Sequence, residues 1–315
     1  MIRRHRSAAA AGLAVLVGGL AFAGVVAPAQ ASEPTSARAT GCFDPRDVGA
    51  AAKGGRHGAD HRDLTAKERA AIERRTDRIL AQRAESGGVG AAAVATGAVV
   101  PVYVHVMMDA AGNGNVTNSQ ITSQIAVLNK TFAGGESTAA SNTGFSFTLA
   151  GFDRYRNSTW HKDRSSTTYR SQTRLGGANA LNIWLVDFRY LGVATFPSDY
   201  ASQPAIDGIR VQYSTLPGGS EANYNLGETA THETGHWLGL YHTFQGGCTS
   251  TNDQVGDTPA QSSPTTGCPQ GRDSCALAGL DPIHNYMDYS YDRCYNQFTS
   301  GQTTRMQRMF AAYRA

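Results

Sequence analysis

Short runs of β-branched and apolar residues recur between residues 99 and 213, each bounded by glycine, asparagine, aspartate or serine. Runs of this kind predict strands, because such side chains favour extended backbone and the polar residues favour turns. Five strands are predicted, at residues 99–109, 145–155, 180–188, 192–196 and 208–213. Stretches with helical spacing stand between and after them, so this part of the chain predicts a compact α/β unit.

Two stretches in this unit carry apolar residues on one helical face. In the first, which Ser119 is expected to cap, the face comprises Ile121, Ile125, Leu128 and Phe132. In the second, which begins with the capping box of Thr299 and Gln302, the face comprises Met306, Met309, Phe310 and Tyr313. Residues 225–228 (Asn-Leu-Gly-Glu) resemble another helix start. Residues 244–298 lack periodicity and predict mostly loop.

A separate charged helix is predicted at residues 63–85, ahead of this unit. Thr65 and Glu68 form a capping box, and a narrow apolar stripe follows, made of Ile72, Ile79 and Leu80. Such a stripe cannot form a core alone, so the helix must pack on a larger body. The small, uncapped residues between 85 and 97 predict a flexible linker open to proteolysis, and we place the domain boundary there, after residue 96.

The first 31 residues have the layout of a secretory signal peptide. Arginines at positions 3, 4 and 6 precede an apolar run that ends in Ala29-Gln30-Ala31, a small-x-small cleavage pattern. A membrane anchor is the alternative, but the run is rich in alanine and glycine and ends in a cleavage site. The general secretory route fits better than the twin-arginine route, since the rest of that signal is poor. We therefore expect a secreted, extracellular product.

Composition and charge exclude several classes of function. The chain of 315 residues is 41% hydrophobic and 17% charged, which is typical of a globular protein. Its net charge of +3 disappears with the three N-terminal arginines. No basic face is evident, so no nucleic-acid partner is expected. No second apolar run has the length of a membrane span, so no membrane partner is expected.

The candidate chemistry lies in THETGHWLGLYHTF, residues 231–244. His232 and His236 are four residues apart and project from the same face of a helix, which suits two nitrogen ligands of one Zn²⁺. Glu233 lies beside the open coordination position, where it can take a proton from zinc-activated water as general base. The motif therefore predicts a site for metal-assisted hydrolysis.

A third histidine fits the same metal only if the chain reverses. On an unbroken helix His242 would lie roughly 15 Å from His232, too far to share an ion. Gly239 stands where a left-handed turn can end the helix and return His242 to the site. HExxH alone is a modest signal, whereas HExxHxxGxxH is specific. The alternative, that these histidines are packed or solvated without a metal, does not account for the spacing.

HETGHWLGLYH matches the metzincin zinc signature. The lead-in NLGETAT, the segment CTSTNDQVGDTPAQ at 248–261 and NYMDYS at 285–290 further resemble the pappalysin-type (M43, cytophagalysin/ulilysin-like) branch. The resemblance covers roughly residues 98–315. It implies a zinc endopeptidase acting on protein or peptide substrates, with three histidine ligands and a glutamate base.

The same resemblance implies an α+β zincin fold. A mixed twisted sheet and the active-site helix form an upper subdomain, and a loop-rich lower subdomain carries the C-terminal helix, with the substrate cleft between them. GVATF at 192–196 becomes the edge strand that pairs with an extended peptide. The organisation expected is a signal peptide at 1–31, an inhibitory pro-segment at 32–96 and a catalytic domain at 97–315.

Residues 285–289 resemble the family's Met-turn. Met287 then forms an apolar floor under the zinc histidines, although by itself it reads as an ordinary core residue. Tyr289 matches a tyrosine found near the metal in several metzincins, where its phenol can bind the metal or stabilise the oxyanion. A half-buried structural tyrosine is the alternative.

Four of the five cysteines follow the zinc motif: Cys248, Cys268, Cys275 and Cys294. In an exported chain they predict two disulfides, for which three pairings are possible. A second zinc site is the rival interpretation, but no CxxC spacing supports it. The family resemblance favours Cys248–Cys275 and Cys268–Cys294. Each closed loop would contribute about 2–4 kcal/mol to a region with little hydrophobic periodicity.

Two further predictions concern metals. Asp253, Asp257 and Thr258 offer oxygen ligands in a short loop, which suits Ca²⁺, as does the resemblance; an ordinary polar loop is the alternative. Cys42, in the pro-segment, can occupy the fourth zinc position as a thiolate and hold the precursor inactive. An incidental free thiol, or one that forms a dimer, is the alternative. His105, His161 and His284 lack ligand spacing and are expected to be structural or exposed.

Two other functions compete with the secreted zymogen endopeptidase. One is a binding or adhesion module that keeps zinc for folding and has little or no peptidase activity. Glu233 argues against it, because a structural site has no need of that carboxylate and is usually closed by a fourth protein ligand. The other is an enzyme of a different metzincin branch with the same chemistry. The paired cysteines and the segment NDQVGDTP argue against that branch.

Overall fold

The computed structural model describes residues 64–86 and 97–315. Its helices, apart from short 3₁₀ turns, are α1 (Ala66–Glu85), α2 (Asn118–Phe132), α3 (Ser158–His161), α4 (Ser166–Thr173), α5 (Glu228–Trp237) and α6 (Ser300–Tyr313). Its strands are β1 (Val99–Met108), β2 (Ser146–Arg156), β3 (Leu181–Val186), β4 (Gly192–Ala194) and β5 (Ile209–Gln212). All five predicted strands are therefore present, each within about two residues of its predicted ends.

The strands form one mixed sheet in the order β2-β1-β3-β5-β4. The first four in this order run parallel, and β4 pairs antiparallel with β5 at one edge. Since β4 is the short edge strand predicted from GVATF, the expected position of that segment is confirmed. The mixed sheet with its helices confirms the α+β metzincin fold.

Both faces of the central strands are buried. On β1 and β3, alternate residues such as Val104 and Ile183 enter the large core formed with α2, α5 and α6. The intervening residues, such as Met107 and Trp184, pack on the opposite face with Tyr169 of α4. Burial on both faces explains why these strands read as continuous apolar runs. It also places the sheet between two helical layers.

The predicted cap of α2 was wrong, whereas α5 starts within the predicted residues 225–228. The N-cap of α2 is Thr117, not Ser119, because Thr117 forms a capping box with Gln120. The α5 helix begins after Gly227, which has a φ of +97° and no side chain to cap with. Asn225, two residues earlier, donates a side-chain hydrogen bond to the carbonyl of Gly219. The sequence also missed the short helices α3 and α4, which lack a predictive apolar face.

The charged helix α1 packs on α6, as its narrow stripe requires. Its apolar stripe contacts Met309, Ala312 and Tyr313. Glu73 accepts hydrogen bonds from Arg305 and Arg308, both at 2.8 Å. These ion pairs are partly buried, and the arginines hold the pKa of Glu73 below its usual value despite the opposing effect of burial. The helix is thus fastened by charge as well as by apolar contact.

Residues 244–298 are mostly loop, as predicted, with one 3₁₀ turn and isolated bridges. Two disulfides cross-link them, Cys248–Cys275 and Cys268–Cys294, which is the pairing implied by the family resemblance. Constraint of the unfolded chain by such loops offsets the shortage of apolar packing.

Several predictions lie outside the described residues: the signal peptide at 1–31, most of the linker, and Cys42. Within 64–86 and 97–315, no helix is long and apolar enough to cross a membrane.

Candidate metal centre

Helix α5 crosses the core and carries the first half of the histidine motif. All ten of its residues are buried. His232 and His236 stand one turn apart, and their rings meet edge to face with centroids 4.7 Å apart. Two buried imidazoles at this spacing direct their outer nitrogens to one point, as the sequence predicted.

Gly239 ends the helix and reverses the chain. Its φ is +101°, and its N–H donates to the carbonyl of His236 at 2.8 Å. A side chain here would meet α6, because a Cβ would lie 2.6 Å from Cγ of Met309. The turn brings His242 back until its ring lies 4.6 Å from that of His236. The predicted reversal at Gly239 is therefore present.

The three imidazoles converge through their Nε2 atoms. Nε2 of His236 lies 3.1 Å from Nε2 of both His232 and His242. Nδ1 of His232 donates to the carbonyl of Tyr286 at 2.6 Å, and Nδ1 of His236 donates to that of Leu240 at 2.8 Å. Because a carbonyl only accepts, each of these two rings carries a proton on Nδ1, which leaves Nε2 as the atom that can offer a lone pair to the centre.

This donor set fits a tetrahedral transition metal. With metal–nitrogen bonds of about 2.0–2.1 Å, neighbouring ligand nitrogens lie roughly 3.3 Å apart, close to the separation seen here. Two lone pairs facing each other at that distance repel unless a metal ion or a shared proton lies between them. Among the described residues, these three histidines are the one group of His, Cys, Asp or Glu with metal-ligand spacing. Imidazole nitrogens suit zinc and related ions rather than calcium or magnesium.

Glu233 is held inside the same site. Only 1% of its surface is exposed, although it carries a carboxylate. It lies between the two helical histidines in sequence and faces the edge strand β4, whose Gly192 is its close neighbour. A buried carboxylate beside a metal site can act on protons there without competition from bulk water.

The predicted Met-turn lies beneath the helix. Met287 is fully buried, and its sulfur lies 2.5 Å from where a Cβ on Gly235 would be, so the helix contacts it through that glycine. Tyr286, next to it, supplies the carbonyl that orients His232. The Met-turn therefore supports the helix by packing and orients one ligand by hydrogen bonding.

Tyr289 packs against two of the histidines. Its ring centroid lies 4.9 Å from that of His242 and 5.8 Å from that of His232. It is 8% exposed, so its ring belongs to the wall of the site. The position is compatible with the predicted contact between its phenol and the reacting group.

Two arginines that the sequence did not suggest hold the turn in place. Arg305 of α6 donates to the carbonyl of Gly239 at 2.8 Å, and Arg314 donates to that of Trp237 at 3.0 Å. Arg314 also pairs with the buried Asp207, to which the Trp237 indole donates. Charged donors on terminal helix carbonyls stabilise a helix end. These two hydrogen bonds therefore hold the turn at which the chain reverses towards the histidine cluster.

An amide pair fixes the Met-turn to α6. Asn285 and Gln302 exchange two side-chain hydrogen bonds, at 2.8 and 2.9 Å. The Asn285 Oδ1 also accepts from the N–H of Met287. Since Gln302 simultaneously completes the capping box of α6, the start of that helix is tied directly to the site.

The start of α5 is held by a carboxylate from the lower subdomain. Asp292 accepts a hydrogen bond from the N–H of Leu226 at 2.8 Å. Burial raises the pKa of Asp292 to about 7, against the effect of backbone N–H groups of Leu226, Glu228 and Gly227. The sequence did not indicate Asp292, because it lies far along the chain from α5.

The residues proposed for calcium fall into two groups. Asp257 accepts hydrogen bonds from Thr299, Ser300 and the N–H of Gly301, so it caps α6. Asp253 is buried, and burial raises its pKa to about 7. Thr258 is buried as well.

The other histidines stay outside the metal centre. His105 lies between Asp153 and Asn182, at 2.9 Å from each. Nδ1 of His161 lies 2.8 Å from the carbonyl of Met107, and Nδ1 of His284 lies 2.6 Å from the carbonyl of Cys294. Their contacts are structural, as predicted.

A zincin-type sheet, a buried carboxylate and three converging imidazoles define the protein as a metalloendopeptidase. The family model described as pregnancy-associated plasma protein-A, peptidase family M43, matches residues 186–311. An extracellular metalloprotease of Sordaria macrospora is 48% identical over 238 residues, which cover 73% of this chain and 80% of the relative.

Solved structures agree with this assignment. Mature mirolysin of Tannerella forsythia, in complex with a cleaved peptide, is 32% identical with a TM-score of 0.59, over 67% of this chain and 90% of that chain. A promirolysin mutant from the same organism is 29% identical with a TM-score of 0.62, over 76% and 88%. The chain belongs to peptidase family M43 and is an extracellular metalloendopeptidase.

Proposed function

We propose that the metal is Zn²⁺, held by His232, His236 and His242, and that Glu233 is the general base for peptide-bond hydrolysis. One observation carries this proposal. Two imidazoles donate their Nδ1 protons to carbonyls, so that Nε2 lone pairs converge within 3.1 Å beside a buried carboxylate. A purely structural zinc site would be closed by a fourth protein ligand and would need no such carboxylate.

Each group at the site has a separate role in the proposed reaction. When bound, Zn²⁺ supplies Lewis acidity, which polarises a carbonyl and brings the pKa of water towards about 7. Glu233 takes the proton of the attacking water and delivers it to the leaving amine. The phenol of Tyr289 donates to the oxygen on which negative charge develops. No covalent acyl-enzyme is needed.

Peptide substrates are proposed to bind along β4. This strand is hydrogen-bonded to β5 on one side and ends the sheet on the other. An edge strand offers backbone groups to an extended peptide, which adds to the sheet as a further strand. The strand also faces Glu233, so a peptide aligned there brings its backbone carbonyls to the metal centre.

We propose that the enzyme is made as a precursor with a signal peptide at 1–31 and an inhibitory pro-segment at 32–96. Helix α1 belongs to the pro-segment and is anchored on α6 by Glu73 and the apolar stripe. The promirolysin structure matches 76% of this chain and the mature one 67%, which favours a precursor-specific part in this chain. Separation of α1 requires the loss of these contacts as well as chain cleavage.

Calcium is proposed to bind beside Asp253 and Thr258. Within the described part of the chain, Oδ1 of Asn252 is buried without a hydrogen-bond partner, and beside it the buried carboxylate of Asp253 has only the Thr258 hydroxyl and backbone N–H groups as donors. Buried oxygens left unsatisfied are costly, and a hard cation satisfies several at once. Asp257 is the weakest of the predicted ligands, because its carboxylate already accepts three hydrogen bonds at the start of α6.

The test of the proposed function is proteolysis of casein by the exported product, with and without a zinc chelator. We expect chelation to abolish cleavage and added Zn²⁺ to restore it, with about one zinc per chain by elemental analysis. Cleavage that persists after complete removal of transition metals would exclude the proposal. A zinc-bound product that never cleaves would favour the binding module instead.

For the pro-segment, we expect Cys42→Ala to release peptidase activity earlier than in the unchanged precursor. The reason is that a thiolate in the fourth metal position excludes water from it. The measurement is the time course of maturation and of peptide cleavage after secretion, with Ser36→Ala as a control in the same segment. Unchanged latency in Cys42→Ala would leave Cys42 without a role at the metal.

A further inference from the structure

We propose that Gly192 is a positioning residue for the general base, because its missing side chain is the space that the Glu233 carboxylate occupies. This inference rests on the proposed function of Glu233. It concerns the edge strand β4, to which the proposed function otherwise assigns only substrate binding.

The geometry of the contact is specific. A Cβ on Gly192 would lie 2.6 Å from Cδ of Glu233, and closer still to its Cγ and Oε1. Real Cβ atoms essentially never approach a heavy atom within 3.0 Å. All three of the atoms nearest to that position belong to Glu233. The nearest obstacle to a side chain at residue 192 is therefore the Glu233 side chain.

Backbone conformation does not explain the glycine. The φ of Gly192 is not positive, and the residue is paired with Val211 in the antiparallel ladder of β4 and β5. Any residue can adopt that backbone, and β-branched residues favour it. Glycine weakens a strand, and one retained within a strand often marks a close approach by another group. Here the approaching group is the carboxylate.

Glu233 has little freedom to yield. It is 1% exposed, so its carboxylate cannot turn into solvent. Both its Cγ and its Oε1 would lie less than 3.0 Å from a Cβ on residue 192. Its backbone is fixed in the middle of α5, between the two helical histidines. A methyl group at residue 192 must then change the torsions of Glu233 and move its carboxylate away from the metal centre.

The test is Gly192→Ala in the full chain, compared with Gly151→Ala. Gly151 lies in β2, has no positive φ, and a Cβ there would touch only the Tyr103 ring at 3.6 Å, an ordinary contact. We expect Gly192→Ala to lower kcat by about 10²-fold with KM within a few-fold, because a 1 Å displacement of a catalytic group has that order of effect. Zinc content should be unchanged, and Gly151→Ala should match the parent.

The double variant Gly192→Ala/Glu233→Ala separates a clash with Glu233 from a general defect. If Gly192→Ala lowers the Tm, removing the Glu233 side chain should restore it. A Tm that stays low, or a Gly192→Ala enzyme with the parent kcat, would overturn the assignment of Gly192. The proposed function fails on a different result, namely a fully active Glu233→Ala single variant.

Discussion

Replacing Glu233 by alanine is expected to lower kcat/KM by about 10²- to 10⁴-fold while zinc stays bound. General acid–base catalysis contributes rate factors of that order, and this carboxylate is the proposed base. Metal binding should survive because the three imidazoles, and the carbonyls of Tyr286 and Leu240 that orient two of them, are untouched. The loss should therefore appear in turnover and not in metal content.

The measurement combines initial rates on a fluorogenic peptide with elemental analysis of the same preparation. Asp273→Ala is a suitable control, since it removes an exposed carboxylate from the loop region. An alanine variant that cleaves as fast as the parent would remove Glu233 from the mechanism. A variant that loses its zinc would instead give the carboxylate a role in holding the ion.

Replacing Gly239 by alanine is expected to weaken zinc binding by at least about 10²-fold, with a matching loss of activity. Disturbing groups that merely orient a ligand costs about 10–100-fold in affinity, and this change displaces a ligand itself. Two effects combine: a φ of +101° strains any side chain, and the new Cβ would fall 2.8 Å from Cβ of Met309. His242 follows this turn and would move with it.

Competition with a chelator measures the zinc affinity, and far-UV circular dichroism reports whether the fold persists. Gly256→Ala is the matched control, because a Cβ on Gly256 would have no atom within 4 Å and the φ of this residue is not positive. Zinc affinity equal to that of the parent in Gly239→Ala would show that His242 reaches the metal without this turn, or does not bind it.

The bracing of the Gly239 turn also explains why a helix at the end of the chain matters to the site. Arg305 and Arg314 hold carbonyls at the end of α5, and Met309 fills the space left by the glycine. On its outer side α6 is covered by α1, whose Glu73 pairs with Arg305. One helix therefore contacts both the active-site turn and the segment proposed to be removed on maturation.

The strands were predictable because each is short, strongly apolar and bounded by turn residues. The helices α1 and α6 were predictable down to their capping boxes, because those signals are local. The short α4 was not, since residues such as Ser166 and Arg170 give it no apolar stripe. The start of α5 was predicted within residues 225–228, but Asp292, which accepts from the N–H of Leu226 there, was not, because it comes from a segment far along the chain.

By itself, the sequence determined which histidines come together. The spacing of His232, His236 and His242 around Gly239 admits a shared metal only if the chain reverses, and that constraint is local. Tertiary structure decided what holds this arrangement. Arg305 and Arg314 donate hydrogen bonds to carbonyls at the turn. Asn285 is hydrogen-bonded to Gln302, and Gly192 leaves room for the Glu233 side chain. These pairs lie far apart in sequence, and no periodicity or motif relates their members. Only packing brings a strand edge against Glu233 of α5 and a C-terminal arginine against the end of the same helix.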